Sequence, residues 1–245
     1  MLRSVYNGIL DGEGNGFVPV PEVQIDHMPL VVAYTNWDIG IFAAGYAQAQ
    51  FTFPSEGELK IWGRSSSANQ PFAVVVLSGP ELIRHAGRLD ENGQARISAP
   101  ELQLDELPLI ACYVERELEE APTFTNSCSL ELRAGEVRLQ AWPGVRHARF
   151  RIVRLKSAAL KVVSGTFSQE GSAEFAASGL DPLDPPLTLA YKFSSDAVGT
   201  WYESRSIRLE PTSGCGSCEI EVMPRRSFAS CRIQLTTASL AQEGL

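Results

Sequence analysis

Apolar and polar residues alternate one for one through much of the second half of this chain. Val137-Arg138-Leu139-Gln140-Ala141-Trp142 and Ala148-Arg149-Phe150-Arg151-Ile152 are two such runs. Ile207-Arg208-Leu209, Glu219-Ile220-Glu221-Val222 and Arg232-Ile233-Gln234-Leu235 are three more. A period of two marks strands with one face buried and the other in water. Arg149, Arg151 and Arg154 fall between apolar neighbours, with one slip at Ile152-Val153 that predicts a β-bulge. Turn signals separate the runs at Pro143-Gly144, Ser164-Gly165, Gly171, Gly179, Pro185-Pro186 and Gly214 to Gly216.

The first half follows a less regular pattern. Leu30 to Tyr34 and Phe72 to Leu77 read as continuous buried strands. Phe51-Thr52-Phe53 and Leu59-Lys60-Ile61-Trp62 read as alternating ones. One short helix is predicted, with Pro80 at its first position after Ser78-Gly79 and Gly87 at its C-terminal cap. Glu115 to Glu120 fits a helical turn or a solvated connector, and its five charged residues favour the connector. Asp11-Gly12-Glu13-Gly14-Asn15-Gly16 reads as a flexible lead-in. No internal repeat is evident.

These elements predict an all-β protein of two tandem antiparallel β-sandwich domains of transthyretin or immunoglobulin type. The expected division is 1–120 and 121–245, at the charged stretch ending in Pro122. Charge supports a change of character there. Residues 1–120 carry 7 basic and 17 acidic side chains, whereas residues 121–245 carry 14 and 12. At 245 residues, 44% hydrophobic and 20% charged, the chain can bury a core without disulfides. The net charge of −8 argues against nucleic acid as the main partner. The longest apolar runs are far too short for a transmembrane helix. No apolar leader follows Met1-Leu2-Arg3, which fits a cytoplasmic chain or a mature secreted one, and the glycine-rich start favours the latter.

Candidate chemistry is sparse. Cys215-Gly216-Ser217-Cys218 has C-x-x-C spacing but lies between strands, without the βαβ context of a redox motif. Cys112, Cys128 and Cys231 supply no second paired spacing for zinc. The motif is therefore expected to hold unligated or locally disulfide-bonded thiols, ahead of a metal half-site or a redox pair. His27, His85 and His147 lack metal-ligand spacing and read as surface or half-buried residues. G-x-S-x-G does not occur, and Gly12 to Gly16 has no preceding strand, so neither a serine elbow nor a phosphate loop is expected. No carboxylate pair stands out for glycoside hydrolysis. Trp37, Trp62, Trp142 and Trp201 fit core packing first and sugar-stacking platforms second. No catalytic, cofactor or metal residue is assigned.

Leu107-Pro108-Leu109-Ile110, an acidic spacer and Ser129-Leu130-Glu131-Leu132 lead into Trp142-Pro143-Gly144-Val145-Arg146-His147-Ala148. Ala158-Ala159-Leu160-Lys161-Val162-Val163-Ser164-Gly165 and a polar segment to Leu180 follow. Over roughly residues 105–195 this order resembles fimbrillin-type fimbrial subunits and related bacterial surface lipoproteins. The resemblance implies two transthyretin-like sandwiches and assembly by strand addition at open sheet edges, without catalysis. The function expected on this basis is a non-enzymatic fimbrial or adhesion subunit at the cell surface or outer membrane. Its partners would be other surface subunits. The alternative is a carbohydrate-binding sandwich module that takes glycans.

Overall fold

The computed structural model describes the backbone of residues 1–35, 45–47, 50–62, 68–102, 108–118, 121–126, 128–141, 145–155, 161–166, 173–178, 187–193, 198–200, 207–211, 217–222 and 232–238. Side chains are described over 1–35, 50–62, 68–102, 108–116, 123–126, 128–141 and 145–155. Every regular element among these residues is a strand, and all the pairings are antiparallel. No helix long and apolar enough to cross a membrane is present among them.

The strands fall into three units of seven. The first holds β1 (Leu2–Ile9), β2 (Asn15–Pro19), β3 (Leu30–Thr35), β4 (Gly45–Ala47), β5 (Gln50–Phe53), β6 (Glu58–Trp62) and β7 (Pro71–Ser78). The second holds β8 (Leu82–Arg88), β9 (Gln94–Ser98), β10 (Leu109–Leu118), β11 (Ala121–Thr125), β12 (Cys128–Arg133), β13 (Glu136–Ala141) and β14 (Arg149–Leu155). The third holds β15 (Lys161–Thr166), β16 (Ala173–Ser178), β17 (Leu187–Phe193), β18 (Val198–Thr200), β19 (Ile207–Pro211), β20 (Ser217–Val222) and β21 (Arg232–Ala238).

Pairing follows one scheme in each unit. The first strand pairs with the seventh, the seventh with the third, and the third with the fourth; the fifth, sixth and second form a separate ladder. β8 to β14 and β15 to β21 repeat the scheme. Each fourth strand then pairs with the fifth strand of another unit: β4 with β19, β11 with β5, and β18 with β12. These three junctions close a ring of three seven-stranded sheets, and each sheet takes strands from both sides of residue 120.

The sequence carries the same repeat, contrary to expectation. Pro29-Leu30 with Tyr34, Pro108-Leu109 with Tyr113, and Pro186-Leu187 with Tyr191 recur at spacings of 79 and 78 residues. Its clearest markers are positions of special backbone geometry. Asp11 Oδ1 accepts the N–H groups of Glu13 and Asn15 at 2.9 and 2.8 Å, and Gly14 takes φ 85°. Asp90 Oδ1 likewise accepts those of Asn92 and Gln94, each at 2.8 Å, beside Gly93 at φ 73°. An aspartate that satisfies turn amides, followed by a glycine in the left-handed region, fixes a tight reversal. The glycine-rich start is therefore an ordered turn between β1 and β2.

Other expectations are corrected in the same way. Pro80 to Gly87 forms no helix, because Leu82–Arg88 pairs residue for residue with β14. Gly87 is not a cap: a Cβ there would lie 2.8 Å from the Phe150 ring. Gly8 stands opposite Phe72 in the first unit and Gly165 opposite Ile233 in the third, so Ser164-Gly165 lies within β15 and not at a turn. Glu115 to Leu118 is no connector but the end of β10, paired with β11. Its charge is accommodated there because Arg149 of β14 grips Glu115. The register of β14 runs unbroken on both sides, so no bulge absorbs the slip at Ile152-Val153. Arg154 instead follows Phe150 and Ile152 onto a buried face.

Uninterrupted apolar runs form the buried strands. β3 is buried throughout, and β7 is buried at its six central positions, as strands flanked on both sides require. Buried side chains from Leu10 to Leu155 make one continuous core. The backbones of β3, β10 and β17 approach one another. The fully buried Tyr113 hydroxyl donates to the Pro29 carbonyl at 2.9 Å and accepts the Val31 N–H at 3.0 Å, tying the second unit to the first. Phe53 meets the Tyr113 ring edge-on at 5.1 Å between centroids.

Replacing Tyr113→Phe strands two buried backbone groups, a loss of about 1–3 kcal/mol. Urea unfolding should show a lower midpoint at unchanged slope. A wild-type midpoint would show that this hydroxyl does not hold the units together.

Candidate functional site

β8 and β9 are joined by the Asp90 turn yet end different sheets. Each has one edge without a partner strand among the described residues. Between them lies a cavity of about 920 Å³. Its apolar part is made by Phe150, Gly87, Ala95 and Ile97, and exposed Arg88, Arg96, Asp90 and Gln94 line its rim.

The first unit shows why the space is open here. There β1 packs against β2, and one Phe72 ring covers both Gly8 and Gly16; a Cβ on either would fall 2.7 Å from it. In the second unit Phe150 covers Gly87, but the counterpart of Gly16 is Ala95. The alanine methyl occupies the space that would let the second strand approach the ring.

The rim is basic because several arginines share it. Arg88 stands opposite Arg149, and Arg96 opposite Arg138, pairs that are unfavourable between bare like charges. Arg149 is neutralised by Glu115 through Nη2 at 2.5 Å and Nε at 2.9 Å. The Arg149 hydrogen bonds hold the Glu115 carboxyl below the usual range, against the opposing effect of burial. Arg138 pairs with Glu136 and, at 3.7 Å, with Glu131. Arg88 gives one N–H to the His147 carbonyl at 3.0 Å, and Arg96 has no ion-pair partner among the described residues. Arg84 reaches the carbonyls of Met28, Gly79 and Leu82 at 3.0 to 3.2 Å.

Beside the cavity, matching positions of the two units carry different chemistry around one retained carboxylate. Glu22 accepts hydroxyl hydrogen bonds from Ser4 and Tyr6 at 2.5 and 2.6 Å. Its counterpart Glu101 pairs with Arg154, while Ile83 and His85 replace Ser4 and Tyr6. The His85 Nε2 is buried without a hydrogen-bond partner. Burial, and then the nearby Arg154 charge, push its pKa below the ordinary value.

His27 and His147 are exposed, and His147 sits at a turn with φ 55°. Cys112 and Cys128 are buried free thiols, and burial pushes the Cys112 thiol pKa up. The backbone of Cys218 lies in β20, opposite Pro211 and Ala177, whereas Cys215 and Cys231 lie outside the described residues. Trp62 is exposed; Trp37, Trp142 and Trp201 lie outside the described residues. Among the described residues no group of three or more His, Cys, Asp or Glu could hold a metal ion. The cleft arginines and Phe150 were not singled out from sequence, although Gly87-Arg88-Leu89-Asp90 echoes Gly8-Ile9-Leu10-Asp11.

No protein-family model and no curated protein matches this chain. The geometry therefore carries the functional argument alone. Two strand edges unpaired among the described residues, beside a cleft with a basic rim and a small apolar patch, can bind and orient a ligand. Among the described residues lining the cleft no nucleophile stands paired with a base.

A lowered histidine pKa gives this region a pH signature. The unfolded chain binds the His85 proton near the ordinary value of 6.5, while the folded chain resists it. Stability is therefore complete above that value and is lost as pH falls through it towards the folded pKa. The melting temperature of the wild type should fall between about pH 7 and pH 5.5, and His85→Gln should flatten that slope. Identical slopes in the two proteins would exclude this role for His85.

Proposed function

We propose that this chain is a non-enzymatic structural or adhesion subunit that works through protein–protein contact at open sheet edges. The observation that carries the reading is the set of six terminal strands. β1 and β16, β2 and β8, and β15 and β9 end the three sheets, each with one edge unpaired among the described strands. Such edges are templates for strand addition, and proteins that do not use them blunt them. A fimbrial or surface setting accords with this use of edges. A ring of three seven-stranded units would serve the role expected of two tandem sandwiches, because each sheet still ends in strands with one edge unpaired among the described strands.

Sedimentation velocity over a hundredfold concentration range should reveal reversible association. Amide exchange in β1, β8 and β9 should slow as the associated species accumulates. A strict monomer throughout, with edge exchange unaltered, would defeat the self-assembly form of this reading.

An exposed aromatic platform favours carbohydrate binding as a second reading. Phe17 is 60% and Trp62 45% exposed on neighbouring strands. The Lys60 ammonium lies 5.1 Å from the first ring centre and 4.3 Å from the second. The indole N–H donates to Thr52 Oγ1 at 3.2 Å, which fixes the ring. Aromatic faces flanked by a polar group suit a pyranose ring. A glycan array should then give hits that Trp62→Ala abolishes; an empty array removes this reading.

A further inference from the structure

We propose that the cleft between β8 and β9 is a receptor groove for an extended acidic polypeptide segment bearing apolar side chains on one face. The proposal rests on the sheet-edge reading and assigns it a place and a ligand chemistry.

Three independent features select this occupant. β8 and β9 each have an edge without a partner strand among the described residues, so they offer main-chain donors and acceptors that a sugar or nucleotide would not match in register. The rim is cationic: Arg88 and Arg96 are exposed, and Glu115 and Glu136, the carboxylates nearest them, hydrogen-bond Arg149 and Arg138 and act on Arg88 and Arg96 through charge alone. Asp90 is the rim's acidic member, but its Oδ1 is taken by two turn amides. The smaller, apolar share of the lining comes from Ala95, Ile97 and the edge of the buried Phe150, a patch that could take the apolar side chains on one face of a strand.

The first unit supplies an internal control. Its corresponding gap is closed by Phe72, and the positions of Arg88 and Arg96 are held by Ile9 and Phe17. Opening of the cleft and acquisition of its basic rim thus occur together in one unit. The five residues of β9 set the matched length, so a guest of about five to seven residues would run along it. Added to β8, the guest would extend that sheet toward β9 and carry its acidic side chains to the rim.

The test uses the full chain and three synthetic heptapeptides, measured by fluorescence anisotropy. One alternates valine and glutamate, one alternates valine and lysine, and one is the acidic peptide with a central proline. The acidic peptide should bind, its affinity falling steeply with added salt. The lysine and proline versions should bind at least tenfold more weakly. Arg88→Glu with Arg96→Glu, both at exposed positions, should weaken the acidic peptide at least tenfold and improve the lysine one. Ala95→Phe, which fills the cleft, should abolish binding without charge change, and thermal melts would check that each variant is folded. Acidic binding unaffected by these variants would overturn the cleft assignment and leave strand addition at another edge standing. Equal binding of the proline peptide would overturn strand pairing itself. Absence of binding by every peptide would overturn the groove proposal, whereas the sedimentation result judges the sheet-edge reading separately.

Discussion

The pairing of each unit's fourth strand with the fifth strand of another unit is the constraint on which the rest of this structure depends. A single unit makes two incomplete ladders, one ending in its fourth strand and one in its fifth. Neither end can be left bare in an apolar interior, because unpaired backbone groups there cost as much as lost hydrogen bonds. The junctions β4–β19, β11–β5 and β18–β12 satisfy both ends at once. They also bring the third strands together, and the Tyr113 hydroxyl serves the Pro29 carbonyl and the Val31 N–H at the start of β3. Stability is therefore a property of the closed ring more than of any one unit.

Closure on the inside leaves the outside open. The first and second strands of the first two units, β1, β2, β8 and β9, keep many exposed or half-buried positions, and here the units diverge while the frame stays constant. Glu22 and Glu101 occupy equivalent places, yet one accepts two hydroxyl hydrogen bonds and the other pairs with a buried arginine. Gly16 and Ala95 differ by one methyl group, and the strands around them pack in one unit and part in the other. Variation of this kind is tolerated at edges because few core contacts depend on them. It is also how one repeat of a symmetric fold can acquire a binding surface that its sister lacks.

Much of the strand content was legible because period-two runs and uninterrupted apolar runs correspond to half-buried and fully buried strands. β3, β5, β6, β7, β13 and β14 lie where those patterns placed them. The helix expected at Pro80 failed because a proline and a glycine at helical spacing say nothing about the partner strand, and β14 supplied one. The charged stretch at Glu115 failed similarly, since its partner Arg149 is 34 residues away. The threefold repeat is faint because it survives in glycines, prolines, a tyrosine and, in the first two units, turn aspartates, and not in long identical runs. The cleft was less legible still: Arg88 and Arg96 are ordinary surface residues until two sheets bring their strands to one rim.

By itself the sequence determined that this protein is made of antiparallel strands, since side-chain periodicity is a local property that each segment carries wherever it folds. It also held the turn aspartates and glycines that set where strands reverse. Which strands meet, how three units close on one another, and which edges remain free were decided only in the tertiary structure. Those outcomes depend on hydrogen bonds and packing between residues far apart in the chain, and no local pattern encodes them.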